Sequence, residues 1–552
     1  MMNRKAILLP LLSVLLLTTS CRTHYEVGSI KRTTILVDGR YDVQHDGQAA
    51  EFLKPYKHVV DSIMGPVVGR SAKYMTAKRP EGTLSNLLAD IMVWAAKDYN
   101  EKPDIGIYNM GGVRADLPKG DITYGDVLDI APFENKIAFA TLKGSDLLEL
   151  FRQMASVGGE GVSHSVRMVI NGRCELVSVT VNGMPVEPDK EYRLATIDYL
   201  LGGTDKMEAF KQGYHVNAPQ EVSNNTRFII MNYFRELTKQ GRMADANIEG
   251  RVMVTDVIHD NPIPKKKKDV EMKTPLSPAS QDFSSAEVSG KKHKQLLILH
   301  TNDTHSQIFP VSVQLPDTLK AGRGGFLRRI VMLKDERAKN PDLLYFDSGD
   351  FFQGSAYFTL FKGDVEVGLM NQMGVDAATI GNHEFDFGLD NLARVFRMAN
   401  FPIVCANYDF TGTPCEGLVK PYIIIRRNGV KIGVFGLAPK MKGLVADKNC
   451  VGVKYLDPAQ VALETATLLK EKERCDLVVC ISHLGWNSNR GEDDQYMIHG
   501  SRNIDLVLGG HTHTYFRKME YEPNIDGRQV PVDQNGKGAC FVGRMVVDLY
   551  SK

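Results

Sequence analysis

Residues 296–305 read LLILHTNDTH, and the same form returns downstream in LLYFDSGD (343–350), AATIGNHE (377–384), IVCANYD (403–409), DLVVCISH (476–483) and DLVLGGH (505–511). Each apolar run is too short for a helix and does not alternate with polar residues. That is the pattern of a strand buried on both faces, as in a largely parallel sheet. Each run then breaks into a polar cluster, and helix-like stretches separate the runs, which predicts an α/β fold. Strand ends that all carry Asp, His or Asn bring those groups to one rim of a sheet.

Five of these ends form an ordered set: Asn302-Asp303-Thr304-His305, Gly349-Asp350, Gly381-Asn382-His383-Glu384-Phe385-Asp386, Ser482-His483 and Gly509-Gly510-His511-Thr512-His513. Alone, any one of them is an ordinary cap or a satisfied polar contact. Together they offer the oxygen and imidazole donors that suit Zn²⁺, Mn²⁺ or Fe, whereas an all-oxygen set would point to Mg²⁺ or Ca²⁺. Two-metal phosphoester hydrolysis needs such a set around cations about 3.5–4 Å apart, with a bridging carboxylate.

The order DxH, GD, GNHE, SH, GGHxH resembles the calcineurin-like metallophosphoesterase superfamily. The longer strings ILHTNDTHSQ, GNHEFDFG and SHLGW resemble its 5′-nucleotidase branch. The resemblance implies a four-layer α/β/β/α sandwich and two divalent metal ions, Zn, Mn or similar. Asp303, His305, Asp350 and His513 would hold one ion. Asp350 would bridge to a second, completed by Asn382, His483 and His511. His383 would stay off the metals as the catalytic imidazole, oriented and charged by Asp386, with metal-activated water as nucleophile. Glu384 reads as support for its turn.

The preceding half carries DIGIYNMGGVRADLPKGDITYGDVLDIAPFENKIAFATLKG (104–144), YRLATIDYLLGGTDKMEAF (192–210) and GTLSNLLADIM (82–92). These resemble the substrate-binding domain that accompanies the phosphatase in 5′-nucleotidases. By that resemblance Phe133 and Tyr199 would stack on a base, Asn109 and Arg114 would supply polar contacts, and Arg79 would be a second arginine. Without it, Phe133 and Tyr199 would pass as core aromatics and Gly111-Gly112 as a tight turn. The chain departs from the pattern at Met110, at Tyr199 and in GGTDKM.

The rest of the chain bounds this reading. Lys and Arg number 67 against 66 Asp and Glu, which gives no support to a nucleic-acid partner. Residues 1–20 read as an export signal: Arg4 and Lys5, then the apolar run Ala6–Leu17, then Thr18, Thr19 and Ser20. Cys21 follows directly and resembles a lipoprotein site, predicting membrane anchoring through its lipid. A plain secretory signal with a chance cysteine is the alternative. The seven other cysteines are odd in number and lack CxxC spacing, which argues against a zinc ribbon or a dense disulfide framework. Residues 257–294 are rich in Pro, Ser and Lys and read as a flexible linker, with Lys265–Lys268 as a solvated run.

The expected architecture is therefore an α/β substrate-binding domain over 25–256 followed by the metallophosphoesterase domain over 295–552, the reverse of the family's usual order. The expected activity is release of phosphate from nucleoside 5′-monophosphates, with nucleotide sugars and cyclic nucleotides as further candidates, in the periplasm or at a bacterial cell surface. A phosphatase for a non-nucleotide ester and a lipid-anchored nucleotide-binding protein are the alternatives.

Overall fold

Along His293–Thr301 the side chains part to two sides: Leu296 and Ile298 enter one core, Leu297 and Leu299 another. Leu477–Ser482 and Leu506–Leu508 divide likewise, with Val478, Cys480 and Val507 facing away from Leu477, Val479, Leu506 and Leu508. This period-two division of unbroken apolar runs produces layers. The computed structural model describes residues 23–42, 46–255, 290–311, 319–488 and 491–552. The export signal and Cys21 lie outside the described residues, as does 257–289 of the expected linker.

Two sheets face each other across the shared core. One has seven strands in the order Tyr25–Leu36, Phe541–Ser551, His293–Thr301, Leu344–Asp347, Ala377–Ala378, Ile403–Val404 and Val419–Lys420. The other has six: Tyr422–Arg427, Val430–Leu437, Leu477–Ser482, Leu506–Leu508, Gln529–Asp533 and Glu520–Pro523. Helices Phe326–Lys339, Asp364–Met373 and Gly388–Phe396 cover the first, and Pro458–Thr467 and Asp494–His499 cover the second. The result is a four-layer α/β/β/α sandwich. Cys475 and Cys480 are buried thiols within it.

The other half is built on a five-stranded sheet, Tyr214–Asn217, Ile137–Lys143, Glu191–Ile197, Ile105–Tyr108 and Gly161–Val162, beside a four-stranded one led by Val252–Thr255. Helices Thr83–Ala95, Gly144–Ser156 and Thr226–Lys239 contribute to its core.

The start of the expected substrate domain is where sequence and structure differ. Tyr25–Leu36 is the outermost strand of the seven-stranded sheet, paired antiparallel to the last strand from Tyr25 opposite Ser551 to Leu36 opposite Phe541. Its middle, Lys31-Arg32-Thr33-Thr34, has no apolar periodicity, as befits an edge strand. The chain then enters helix Gly47–Met64, capped by Asp46, which accepts from the Ala49 amide and pairs with Lys334. Arg328 donates two hydrogen bonds to Asp42 nearby. Leu53, Val60 and Met64 pack into the metal half's core together with Leu128 of the substrate half. Tyr56 meets Phe361 edge-on at 4.8 Å. The helix thus touches both halves, and no loose tether is needed to bring them together. Among the described residues no helix is long and apolar enough to cross a membrane.

Candidate metal centre and substrate cleft

The strand ends turn sharply at the rim. Asp303, His305, Asp350, His511 and His513 all have positive φ, between 45° and 73°. Asp and His tolerate this region better than most residues, but such a cluster marks a rim held in place by its surroundings.

Asp303, His305 and His513 form one group of donor atoms, and Asp350, His483 and His511 another, each within 4.8 Å. Asp303 Oδ1 lies 3.4 Å from His513 Nε2 and 3.7 Å from His483 Nε2. Asp350 Oδ2 is 3.1 Å from His483 Nε2 and 3.9 Å from His305 Nε2, so this carboxylate reaches both groups.

The donors fit cations. His483 Nδ1 is 2.6 Å from the Ser348 carbonyl, so Nδ1 carries a hydrogen and Nε2 faces the two carboxylates. Those carboxylates outweigh the opposing effect of burial and push His483 up to about 10: the position calls for positive charge. Burial and the neighbouring His483 instead push His511 down to about 3, and burial holds His305 well below the usual range, so both imidazoles are neutral and suited to ligation. His305 Nε2 and His513 Nε2 stand 2.9 Å apart, where they can share at most one hydrogen. Asn382 Oδ1 is buried with no protein partner. Glu384 accepts from the backbone amides of Asp350, Phe351, Phe352 and Gly381, so it braces the turn as its sequence context suggested.

His383 stands at the edge of this cluster. Its Nδ1 is 3.0 Å from Asp386 Oδ2, and its amide donates to Asp350 Oδ1 at 2.9 Å. Burial works against the imidazolium, but Asp386 and Asp350 outweigh it and raise the pKa above the ordinary histidine value. Across the cleft, the ring of Phe133 stacks on His383 with centroids 6.4 Å apart and planes 29° apart. Arg227 fixes Phe133 by donating to the carbonyls of Pro132 and Phe133, each at 3.0 Å. Arg114 lies over the Phe133 ring at 5.2 Å, and its buried Nε has no partner.

Asn109 and Tyr199 meet at a residue the sequence reading passed over. Asp205 accepts from Asn109 Nδ2 at 2.6 Å and from the Tyr199 hydroxyl at 3.1 Å. It belongs to GGTDKM, the loop that departs from the family pattern, six residues beyond Tyr199. Met110 begins a 3-10 turn without positive φ, so the backbone there needs no glycine. Gly112 does: a Cβ would sit 2.7 Å from Asn109 Oδ1. Arg79 stands apart from these groups. Its Nε donates to the Gly159 carbonyl at 2.8 Å and its guanidinium pairs with buried Glu160, which also accepts from the Met110 amide. Its observed place is therefore behind the Asn109 turn.

The model of the 5′-nucleotidase C-terminal domain family matches residues 64–212, and that of the calcineurin-like phosphoesterase family matches 296–515. The trifunctional nucleotide phosphoesterase protein of Bacillus subtilis (strain 168) is 25% identical over 523 residues, 79% of this chain and 34% of that protein. The 5′-nucleotidase of Rattus norvegicus is 32% identical over 285 residues, 47% of each chain. Among solved structures, a 5′-nucleotidase precursor from Thermus thermophilus matches with a TM-score of 0.42 at 29% identity, over 46% of this chain and 51% of that one. The chain spans between about a third and a half of the length of these two curated relatives.

Proposed function

We propose that this chain, which matches the substrate-binding and phosphoesterase domains of 5′-nucleotidases with the substrate-binding domain placed first, is a metal-dependent phosphohydrolase of nucleoside 5′-monophosphates. The observation that carries the reading is the meeting of His383 with Phe133 and Arg114 across the two halves.

Asp303, His305, His513 and Asp350 would hold one divalent ion, and Asp350, Asn382, His483 and His511 a second. Ions bound there would lower the pKa of water and offset charge on the phosphoryl group. The chain's own residues do the rest. Asp386 fixes the His383 tautomer through Nδ1, leaving Nε2 to donate a proton to the departing 5′-oxygen. Arg114 brings a buried, uncommitted donor to the same cleft, where a phosphate or base edge would meet it. Phe133 and Tyr199 offer aromatic faces to the base. Asp205 has accepted one hydrogen bond on each oxygen and keeps lone pairs for the ribose hydroxyls.

Export and lipid attachment at Cys21 rest on the leader's pattern alone. A Cys21→Ser variant is expected in the soluble exported fraction instead of the membrane. The main test is hydrolysis by protein of measured metal content, offered AMP, UDP-glucose, cyclic nucleotides and glucose 6-phosphate. Preference for AMP is expected. Equal use of the sugar phosphate would overturn the nucleotide assignment and leave a phosphatase of another ester.

A further inference from the structure

Arg32 belongs to the edge strand Tyr25–Leu36, outside both matched segments, yet its side chain is only 4% exposed. It passes beneath the rim of the sandwich. Its Nε donates to Asp533 Oδ1 at 2.5 Å, and Nη2 donates to Asn535 Oδ1 at 3.1 Å. Asp533 is fully buried, with the Arg32 guanidinium beside it. The next strand carries Gly543, opposite Thr34, where a Cβ would come within 2.4 Å of Asp533 Oδ2 and 2.6 Å of Asn535 Nδ2. The space is shaped for this contact.

We infer that Arg32 is a positioning residue for the metal centre, setting the orientation of Asp303 through Asn535 and Asn302. An arginine can only donate, so it fixes the Asn535 amide with Oδ1 toward itself. The Asn535 NH₂ must then face Asp533 Oδ2 at 2.9 Å and His300 Nδ1 at 3.0 Å. With its side chain locked, the Asn535 backbone amide donates to Asn302 Oδ1 at 2.9 Å. That fixes the second amide: Asn302 Nδ2 donates to Asp303 Oδ2 at 2.6 Å and to the Gly536 carbonyl at 2.7 Å. The His511 amide also donates to Oδ2, at 2.9 Å. The same amide reaches Oδ1 less closely, at 3.2 Å, so Oδ2 is the more heavily bonded oxygen of Asp303 and Oδ1 faces the imidazoles of His513 and His483. Every link is nearly or fully buried, so water does not substitute for a lost donor.

The inference rests on the metal-dependent reading of the site, and its test separates the two. Full-length protein is titrated with Mn²⁺, following free ion by electron paramagnetic resonance well below each variant's melting temperature. Arg32→Gln is expected to weaken the site at Asp303 about ten-fold or more, the usual effect of losing a partner that orients a ligand. Arg32→Lys, which keeps the charge without the two-pronged grip, is expected to lie between. Exposed Lys31→Gln is expected to match wild type. Should Arg32→Gln fail to fold, Arg32→Met with Asp533→Asn removes both buried charges together and is expected to show the same weakening. Wild-type affinity in these Arg32 variants, with only a lower melting temperature, would overturn the inference. A wild-type protein that takes up no Mn²⁺ would instead overturn the metal-dependent reading.

Discussion

Replacing Gly381 by alanine tests how closely the bridging carboxylate is held. A Cβ at 381 would sit 2.1 Å from Asp350 Oδ1 and 2.7 Å from the Asp350 amide nitrogen. Real Cβ contacts essentially never fall below 3.0 Å, so the carboxylate oxygen must retreat by about 0.9 Å (3.0 less 2.1). Gly381 does not have positive φ, so alanine adds no strain at its own φ, and the effect is a displacement of the Asp350 carboxylate together with its backbone amide. Asp350 reaches both donor groups, so moving it disturbs both cation positions together. A misplacement of that size costs on the order of 10²-fold in turnover. The assay is kcat for AMP at saturating Mn²⁺, with bound metal measured on the same sample. Gly172→Ala, which meets nothing within 4 Å, serves as the unaffected control. If Gly381→Ala kept kcat within about three-fold of wild type, well under the loss expected from such a shift, Asp350 would not be the shared ligand.

Asp386→Asn is expected to move the alkaline limb of kcat/KM to lower pH. His383 donates only while protonated, so activity is present below its raised pKa and lost as pH rises through it; removing the Asp386 charge brings that pKa down. The loss at pH 8 should approach about 10²-fold with AMP and be much smaller with p-nitrophenyl phosphate, whose leaving group needs no proton; an unmoved limb would rule out the pair. Asp205→Ala should raise KM for AMP by about 10- to 100-fold, the range for hydrogen bonds to a charged group, while leaving glucose 6-phosphate kinetics nearly unchanged. Equal losses on both substrates would place Asp205 outside the nucleoside pocket. Cleavage at a protease site inserted between residues 256 and 289 should leave both fragments in one peak on size exclusion, because Tyr25–Leu36 and helix Gly47–Met64 bind the metal half. Separation of the fragments would show that those contacts are too weak to hold it.

The metal half was legible because its strands are buried on both faces and end in glycine, aspartate and histidine, a pattern local enough to see in a few residues at a time. His383 with Asp386 was legible for the same reason, three residues apart on one short turn. Tyr25–Leu36 was not. Edge strands need little apolar periodicity, and its partner lies at the far end of the chain, so nothing local marks it. Asp205 was hidden because it sits in a loop whose order differs from the family string, and only folding brings it to Asn109 and Tyr199. Arg79 was read only as a second arginine by resemblance, and its pairing with Glu160, distant in sequence, is a contact that no local pattern marks.

The pairing of the first described strand with the last has a topological consequence. Tyr25 stands opposite Ser551, and the Lys552 amide donates to the His24 carbonyl at 2.9 Å, so the two strand ends meet like the arms of a hairpin without its turn. A short turn joining Lys552 to His24, with the chain opened instead between 256 and 289, would preserve every strand pair described above. The resulting circular permutant would run phosphoesterase first, then bridging helix, then substrate domain. In that sense the unusual domain order is a choice of where the ring is cut.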